Sequence, residues 1–500
     1  MPNRPATPAV VSCLTKCIGV EMNPRTRNVG AVAMGVTLVL SLAACRPATP
    51  PRDPARAADF TLTKIADQPA AAFTVIGELA GGKADQEILT TNWIDKADPN
   101  FGNIPDGGEV KLYRKGASGW TATTVISAAE NIRQPNKPTL ADVDGDGRTD
   151  FIQPAGWFLN SALGDTTGSI TWWRNNGNGS FTRNNVATNV GGSYEGVVYA
   201  DIDSDGIKDI ISTSQDYGNP FVSPATPPVV LTHMFKGKPN GKFNAAVTLC
   251  ECGGPLPVVF DVNADGKLDI AVAQYLGVAT KPNAAAGLTD ESFIWLENKG
   301  KKNKPLTSAS FTKHVIARGL GESVQILPVD NIDGTGKYGA IGVNQVNTRL
   351  GDPTVPPQLV RLTPGNNIRA EWSVSVVANG FTPETFGFGA TSPGPATEGD
   401  IDGDGDIDLI ATGGADRSVY WIERRGDGSW SQRNIGEEFG RPGANWGYAG
   451  AAVGDLDRDG RNEVVISPYN EGAIYILERK PRTGGVFPAS PHRPDALLPY

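Results

Sequence analysis

Five short stretches place Asp or Asn at positions one, three and five, Gly at six and a carboxylate at nine. They are Asp142, Asp144, Asp146, Gly147 and Asp150; Asp201, Asp203, Asp205, Gly206 and Asp209; Asp261, Asn263, Asp265, Gly266 and Asp269; Asp400, Asp402, Asp404, Gly405 and Asp408; and Asp455, Asp457, Asp459, Gly460 and Glu463. Alternate oxygen side chains can wrap a hard cation, Gly at six permits the sharp turn, and the carbonyl at seven can complete the shell. The chemistry is that of calcium, at about five sites. One such match would read equally well as turn chemistry, but five at similar spacing do not.

The elements that position these loops are strands. An EF-hand needs a bidentate Glu at position twelve and flanking amphipathic helices, whereas here position ten opens an apolar run. Phe151-Ile152, Ile210-Ile211, Ile270 to Val272, Leu409-Ile410 and Val464 to Ile466 are those runs. With 60 Gly, 38 Pro and no long segment of 3.6-residue periodicity, the chain is predicted to be all-β.

Residues 1–21 read as an upstream extension before a second start at Met22, and 22–44 as a secretory signal: Arg25 and Arg27, the apolar run Val29 to Leu42, then Ala43-Ala44. Leu42-Ala-Ala-Cys45 resembles the lipobox of bacterial lipoproteins, which implies cleavage before Cys45 and its acylation. Arg46 stands where an inner-membrane retention signal would have Asp, so that resemblance implies the outer membrane. A linker at 45–58 leads to the folded region, 59–480, and 481–500 is a Pro-rich tail. The formal net charge of −9 is absorbed largely by the cation loops, and nothing points to nucleic acid. Cys250 and Cys252 could bridge in an exported region, although two cysteines at this spacing in one strand share a face and bridging them would strain the bond.

Two degenerate loops join the five, Gly77 to Leu89 and Asn331 to Gly339, giving seven units of 55 to 70 residues. A Gly/Asn/Lys-rich turn followed by an aromatic recurs between them, as at Arg174 to Phe181, Lys236 to Phe243 and Arg424 to Trp430, and more loosely before Trp120, Phe311 and Trp372. Each unit then reads as strand A, the acidic loop, strand B, a variable connection, strand C, the Gly turn and strand D. Asp loops followed by Asp-Ile-Ile or Asp-Leu-Ile, with Ile170 to Phe181 after them, resemble the FG-GAP/VCBS repeat family, that of the integrin α-subunit head propellers. The resemblance spans 59 to about 480 and implies a seven-bladed β-propeller of four-stranded blades with calcium in the A–B hairpins, except in units one and five, which depart from the pattern. Four-stranded blades packed face to face bury both sheet faces, which suits the pattern independently. The last unit lacks a D strand before Pro481, and Phe60 to Ile65 resembles the D strand Phe311 to Ile316, so residues 60–65 are predicted to complete the last blade against 473–477.

In such a fold the B–C and D–A connections lie opposite the acidic loops, and they carry the irregular length and exposed aromatics that suit glycan or protein recognition. Trp157, Tyr194, Glu195, Tyr217, Tyr275, Trp446 and Tyr448 are the ligand candidates, with plugging of the channel or packing between blades as the alternative for any one of them. Trp172, Trp173, Trp295 and Trp421 fall in strand C and read as packing residues. No Gly-x-Ser-x-Gly elbow, His-Glu-x-x-His or P-loop is present, so the catalytic residues are unknown and a binding module is the leading expectation. The alternative is a carbohydrate-active enzyme, since some calcium-dependent polysaccharide lyases and sugar dehydratases resemble this architecture; Glu195, Glu384 and His314 would be the first residues to test.

Overall fold

The computed structural model describes residues 60–480 apart from 80–85, 99–101, 158–167, 219–226, 279–280, 282–287, 331, 333–337, 346–354, 382–383, 387–388, 392, 413–418, 436–448 and 470. Trp446, Tyr448, Cys45 and the segments 1–58 and 481–500 therefore lie outside the described residues. Among the described residues, helix is limited to two short 3₁₀ turns, Ala128–Glu130 and Ser308–Ser310.

Seven four-stranded antiparallel sheets make up the fold. In the order A to D, blade 1 is Ala71–Gly77, Glu87–Asp98, Gly102–Gly116 and Gly119–Ile126, and blade 2 is Thr139–Ala141, Asp150–Ala155, Gly168–Asn175 and Phe181–Val190. Blade 3 is Ser193–Ala200, Asp209–Asp216, Val229–Phe235 and Val247–Cys250; blade 4 is Val258–Phe260, Asp269–Ala273, Glu291–Asn298 and Phe311–Arg318. Blade 5 is Ser323–Val329, Gly339–Asn344, Gln358–Thr363 and Ser373–Asn379; blade 6 is Thr397–Gly399, Asp408–Thr412, Val419–Arg424 and Trp430–Asn434. Blade 7 takes its first three strands from Ala449–Gly454, Glu463–Pro468 and Ala473–Arg479, and its fourth from Phe60–Asp67.

That fourth strand pairs antiparallel from Phe60↔Arg479 to Asp67↔Ala473, which is the predicted closure extended by two residues at each segment. Phe60 then meets Trp421 of blade 6 edge-on at 6.0 Å, so the first strand seals one blade and packs on its neighbour.

Strand B is buried on both faces in blades 2 to 7, which explains why an apolar run rather than an alternation follows position nine. Seven hydrophobic clusters result, one at each interface between neighbouring blades. Leu89 and Leu112 meet Phe151 and Trp173 between blades 1 and 2, and Ile88 and Tyr113 meet Leu456 and Ile474 between blades 1 and 7, closing the ring. The strand-C tryptophans are core, with Trp172 and Trp173 3% exposed, Trp421 1% and Trp295 0%. Polar side chains reinforce the joins. Thr139 Oγ1 donates to the Val197 carbonyl and Thr397 Oγ1 to that of Ala451, each linking one inner strand to the next. Asn175 Nδ2 donates to the Leu79 carbonyl of blade 1 and Asn298 Nδ2 to the Ile202 carbonyl of blade 3.

Cys250 and Cys252 are joined by a disulfide. Strand D of blade 3 ends at Cys250 and the chain bends at Glu251, so the two Cα atoms come to 5.2 Å, within ordinary bridging distance.

Candidate functional site

The five acidic loops share one backbone. Gly at position six is left-handed in all, with φ of 83° at Gly147, 91° at Gly206, 83° at Gly266, 92° at Gly405 and 86° at Gly460. Position four is left-handed as well, and there only Gly145 and Gly403 are glycines; Ser204, Ala264 and Arg458 adopt φ of 58°, 58° and 59°. Three side chains holding a conformation that disfavours them show how strongly the remaining residues dictate the turn.

Those residues work as a set. The position-one carboxylate folds back onto the loop: Asp142 accepts the N–H groups of Gly145, Asp146 and Gly147 at 2.8–3.1 Å, and Asp201, Asp261, Asp400 and Asp455 each accept the N–H of the position-six glycine at 2.7–3.0 Å. Position five accepts the N–H of position seven, as Asp205 does from Ile207 at 2.9 Å. Position two is apolar and buried, as Val143, Ile202, Val262, Ile401 and Leu456, and roots the loop in the core. Four loops bring three carboxylates each within 4.8 Å of one another: Asp142, Asp144 and Asp146; Asp201, Asp203 and Asp209; Asp400, Asp402 and Asp404; and Asp455, Asp457 and Glu463. The carboxylates of blade 4 form no such group among the described residues. Oxygen-only donors converging on one point fit a hard cation, and in blade 3 the Oδ1 atom of Asp203 is buried without a hydrogen-bond partner.

The carboxylate at position nine has a second task. Asp150, Asp209, Asp269 and Asp408 are fully buried and Glu463 nearly so. One oxygen accepts the N–H of position two, from Val143 at 3.0 Å in blade 2 to Leu456 at 2.8 Å in blade 7. In blades 2, 3, 4 and 6 the other oxygen takes an N–H at the end of strand C, from Asn175, Gly237, Asn298 and Arg424 at 2.7–2.8 Å. This residue therefore ties loop, strand B and strand C together. Burial pushes its carboxyl upward, to about 7 at Asp209, Asp269 and Glu463 and about 8 at Asp408.

At the other end of the blades, where strands A begin and strands B finish, several candidates come together. Trp157, Tyr217 and Tyr275 follow strand B of blades 2, 3 and 4, yet share one apolar cluster with Leu276, Val324 and the core between blades 5 and 6. Side chains from so many blades meet only over the axis of the ring, so these three rings cap the channel, each 8 or 9% exposed. Tyr194 is 1% exposed, packs between blades 2 and 3, and its hydroxyl lies 2.9 Å from His233 Nδ1. Glu195 and Glu322 are near enough for their charges to act on the Tyr275 phenol, which burial holds well above its usual range. Glu195 itself lies beside Gln215 and is raised to about 7 by burial.

Lys137, just before strand A of blade 2, and Glu398, in strand A of blade 6, are near enough for their charges to act on one another. Burial lowers the first and raises the second, and each charge partly offsets the other's shift. Lys137 borders a water-sized cavity with Phe73, Thr74, Pro395, Thr397, Gly450 and Ala451. His314 sits elsewhere, stacked on Trp295 at 4.7 Å with Nε2 2.9 Å from Glu297. Glu384 begins a short hairpin strand, Glu384–Phe386, and its side chain is outside the described residues. The structure thus does not bring Glu195 and His314 into one constellation. Residues that sequence reasoning passed over are Gln215, Glu322 and Lys137. Their types are common and only the ring brings them to the axis.

Among known proteins, no curated protein matches this sequence. Among solved structures, an exotype rhamnogalacturonan lyase, YesX, is similar at 13% identity and a TM-score of 0.45, over 87% of this chain and 75% of its own. A protein from Lactobacillus plantarum is similar at 13% identity and 0.44, over 80% and 94%. The α-L-arabinofuranosidase Arb93a from Fusarium graminearum follows at 10% and 0.38, over 84% and 97%. Those likenesses carry no argument about activity. The FG-GAP-like repeat family matches residues 159–212 and 400–466, segments that contain the blade-3, blade-6 and blade-7 acidic loops. The chain is a seven-bladed β-propeller that carries FG-GAP-like repeats in two of its regions.

Proposed function

We propose that this chain is a calcium-stabilised binding module of the bacterial cell envelope, anchored by lipid at Cys45, that takes a glycan or protein ligand at the end of the channel opposite the acidic loops. The observation that carries this reading is the division between the two ends. One end repeats a single rigid turn; the other buries Tyr217 and Tyr275 in one apolar cluster, with Glu195 and Glu322 near enough for their charges to act on the Tyr275 phenol. Calcium suits the first end because every donor is oxygen, and the resident carboxylates fix the coordination geometry before the ion arrives. When bound, the ion supplies positive charge that relieves the repulsion among those carboxylates.

A second reading has one observation in its favour. A carboxyl raised to about 7, as at Glu195, is poised for proton transfer at neutral pH, which a carbohydrate-active enzyme would use. An oligosaccharide array, with product analysis of every ligand retained, separates the two. Binding without turnover, lost in Glu195→Gln and Tyr275→Phe while thermal stability in calcium is kept, supports the module. Turnover abolished by Glu195→Gln supports the enzyme, and binding that survives both substitutions sinks the site. The anchor is tested by fatty-acid labelling, which Cys45→Ser should abolish; unlabelled wild-type protein in the soluble periplasm would contradict it.

A further inference from the structure

Aromatic rings and acidic groups gather where the blades close on their axis. Trp157, Tyr217 and Tyr275 lie in one apolar cluster and keep 8 or 9% of their surface exposed. Backbone contacts bring the polar groups to them. Ser323 N donates to the Gln274 carbonyl at 2.8 Å, which sets Glu322 close to Tyr275, and Tyr275 N donates to the Gly253 carbonyl at 3.3 Å. From blade 3, Gly196 lies so near the same connection that a Cβ on it would stand 3.1 Å from the Pro255 carbonyl oxygen, which brings Glu195 to that side.

We propose that this end takes an amino sugar, whose protonated amine is received by Glu195 and the Gln215 amide oxygen and whose ring lies on the aromatic faces. This rests on the reading of this end as the ligand end and names the class of ligand it takes.

The balance of groups points to a cation. Among the described residues Glu195 has no ion-pair partner and the Tyr275 hydroxyl no hydrogen-bond partner. The charges that act on the Tyr275 phenol come from Glu322, Glu195 and Tyr217, all of them acids. Lys137 is a neighbour through its backbone, donating its N–H to the Glu195 carbonyl at 3.0 Å, but the charge that acts on its ammonium is that of Glu398. Gln215 is fully buried beside Glu195, and its Oε1 has no hydrogen-bond partner. A buried acceptor in that state favours whatever brings it a donor.

An ammonium group meets these needs together: it donates to a carboxylate and an amide oxygen, and the face of Tyr or Trp attracts it. A sugar suits the rest of the site better than a peptide does. Each peptide N–H brings a carbonyl that needs a donor, and the site presents mostly acceptors, whereas every sugar hydroxyl can donate. Acidic sugars would meet like charge.

Isothermal titration calorimetry of the full chain, in calcium at neutral pH, compares a glucosamine hexamer with its fully N-acetylated counterpart, a galacturonate hexamer and hexalysine. The glucosamine hexamer should bind roughly tenfold more tightly than the N-acetylated one, as expected for one charge-assisted hydrogen bond, and far more tightly than the other two. Glu195→Gln should erase the preference for the free amine, with circular dichroism checking that the variant is folded. Equal affinity of wild type for the two hexamers, or a preference that folded Glu195→Gln keeps, would overturn the proposal, and hexalysine bound as tightly as the glucosamine hexamer would overturn it in favour of a peptide amine. If another oligosaccharide binds and Tyr275→Phe abolishes its binding, the ligand end survives any of these failures. Binding that neither Glu195→Gln nor Tyr275→Phe alters would overturn both.

Discussion

Asp408→Ala separates the two tasks of the position-nine carboxylate. Asp408 is fully buried and accepts three hydrogen bonds, from Ile401 N at 3.2 Å, Arg424 N at 2.8 Å and Trp421 Nε1 at 2.9 Å. Each buried donor left without a partner costs roughly 1–3 kcal/mol, so the variant should lose about 3–6 kcal/mol after some relaxation. That is a large share of the roughly 5–15 kcal/mol that holds a typical domain together. Asp404, at position five of the same loop, is exposed and accepts one bond, from Asp406 N at 2.9 Å, so Asp404→Ala should cost about 1 kcal/mol or less without metal. Denaturant unfolding of both variants in EDTA and in millimolar calcium is the assay. Asp408→Ala should be destabilised in both media, and Asp404→Ala chiefly in calcium, by up to about 2.7 kcal/mol at a hundredfold excess over Kd. Should Asp408→Ala fail to fold, Asp408→Asn retains one acceptor oxygen and should fall between. Equal stability of Asp408→Ala and wild type in EDTA would refute the reasoning, because the residue would then be a metal ligand and nothing more.

Other expectations follow from the same geometry. Asp209, Asp269, Glu463 and Asp408 hold their protons up to about 7 or 8 in the fold but only to about 4 once unfolded. Between those values the folded state binds more protons, so stability in EDTA should fall as pH rises from 4 to 8, whereas calcium stabilisation should grow over that window; a melting temperature in EDTA that climbs from pH 5 to 8 would contradict this. Ser204→Gly, Ala264→Gly and Arg458→Gly relieve a left-handed position and should each raise stability by up to about 1 kcal/mol, read as a shift in the denaturation midpoint. Deleting residues 60–67 removes the fourth strand of blade 7 and the Phe60 contact with Trp421, and should give a protein that aggregates or melts well below wild type; an unchanged melting curve would refute ring closure by this strand.

The period, the loops and the closing strand were legible in the sequence because each is a local pattern with one physical solution. Asp at one, three and five with Gly at six leaves little choice of backbone, and an apolar run directly after position nine can only be strand B. Less was legible where meaning depends on a partner brought from elsewhere. Ser204, Ala264 and Arg458 look ordinary in sequence, yet each holds a left-handed turn. Asn175 falls in the Gly/Asn-rich turn that opens at Arg174, but its amide, like that of Asn298, also spans to the neighbouring blade. Position nine is a carboxylate in either of its roles, and only burial separates ligand from hydrogen-bond hub. Trp157, Tyr217 and Tyr275 fall at the expected end of their blades, but sequence does not show that they lean over the axis and bury one another.

Hydrogen–deuterium exchange of the full chain, with calcium and with EDTA, tests most directly whether one end of the propeller is a metal-fixed frame. Added calcium should slow exchange in the acidic loops 142–150, 201–209, 400–408 and 455–463 and in the B strands that follow them. It should leave the far end around Glu195 and Tyr275 close to its EDTA rate. Protection centred on Glu195 and Tyr275, or no calcium-dependent change anywhere, would contradict the account.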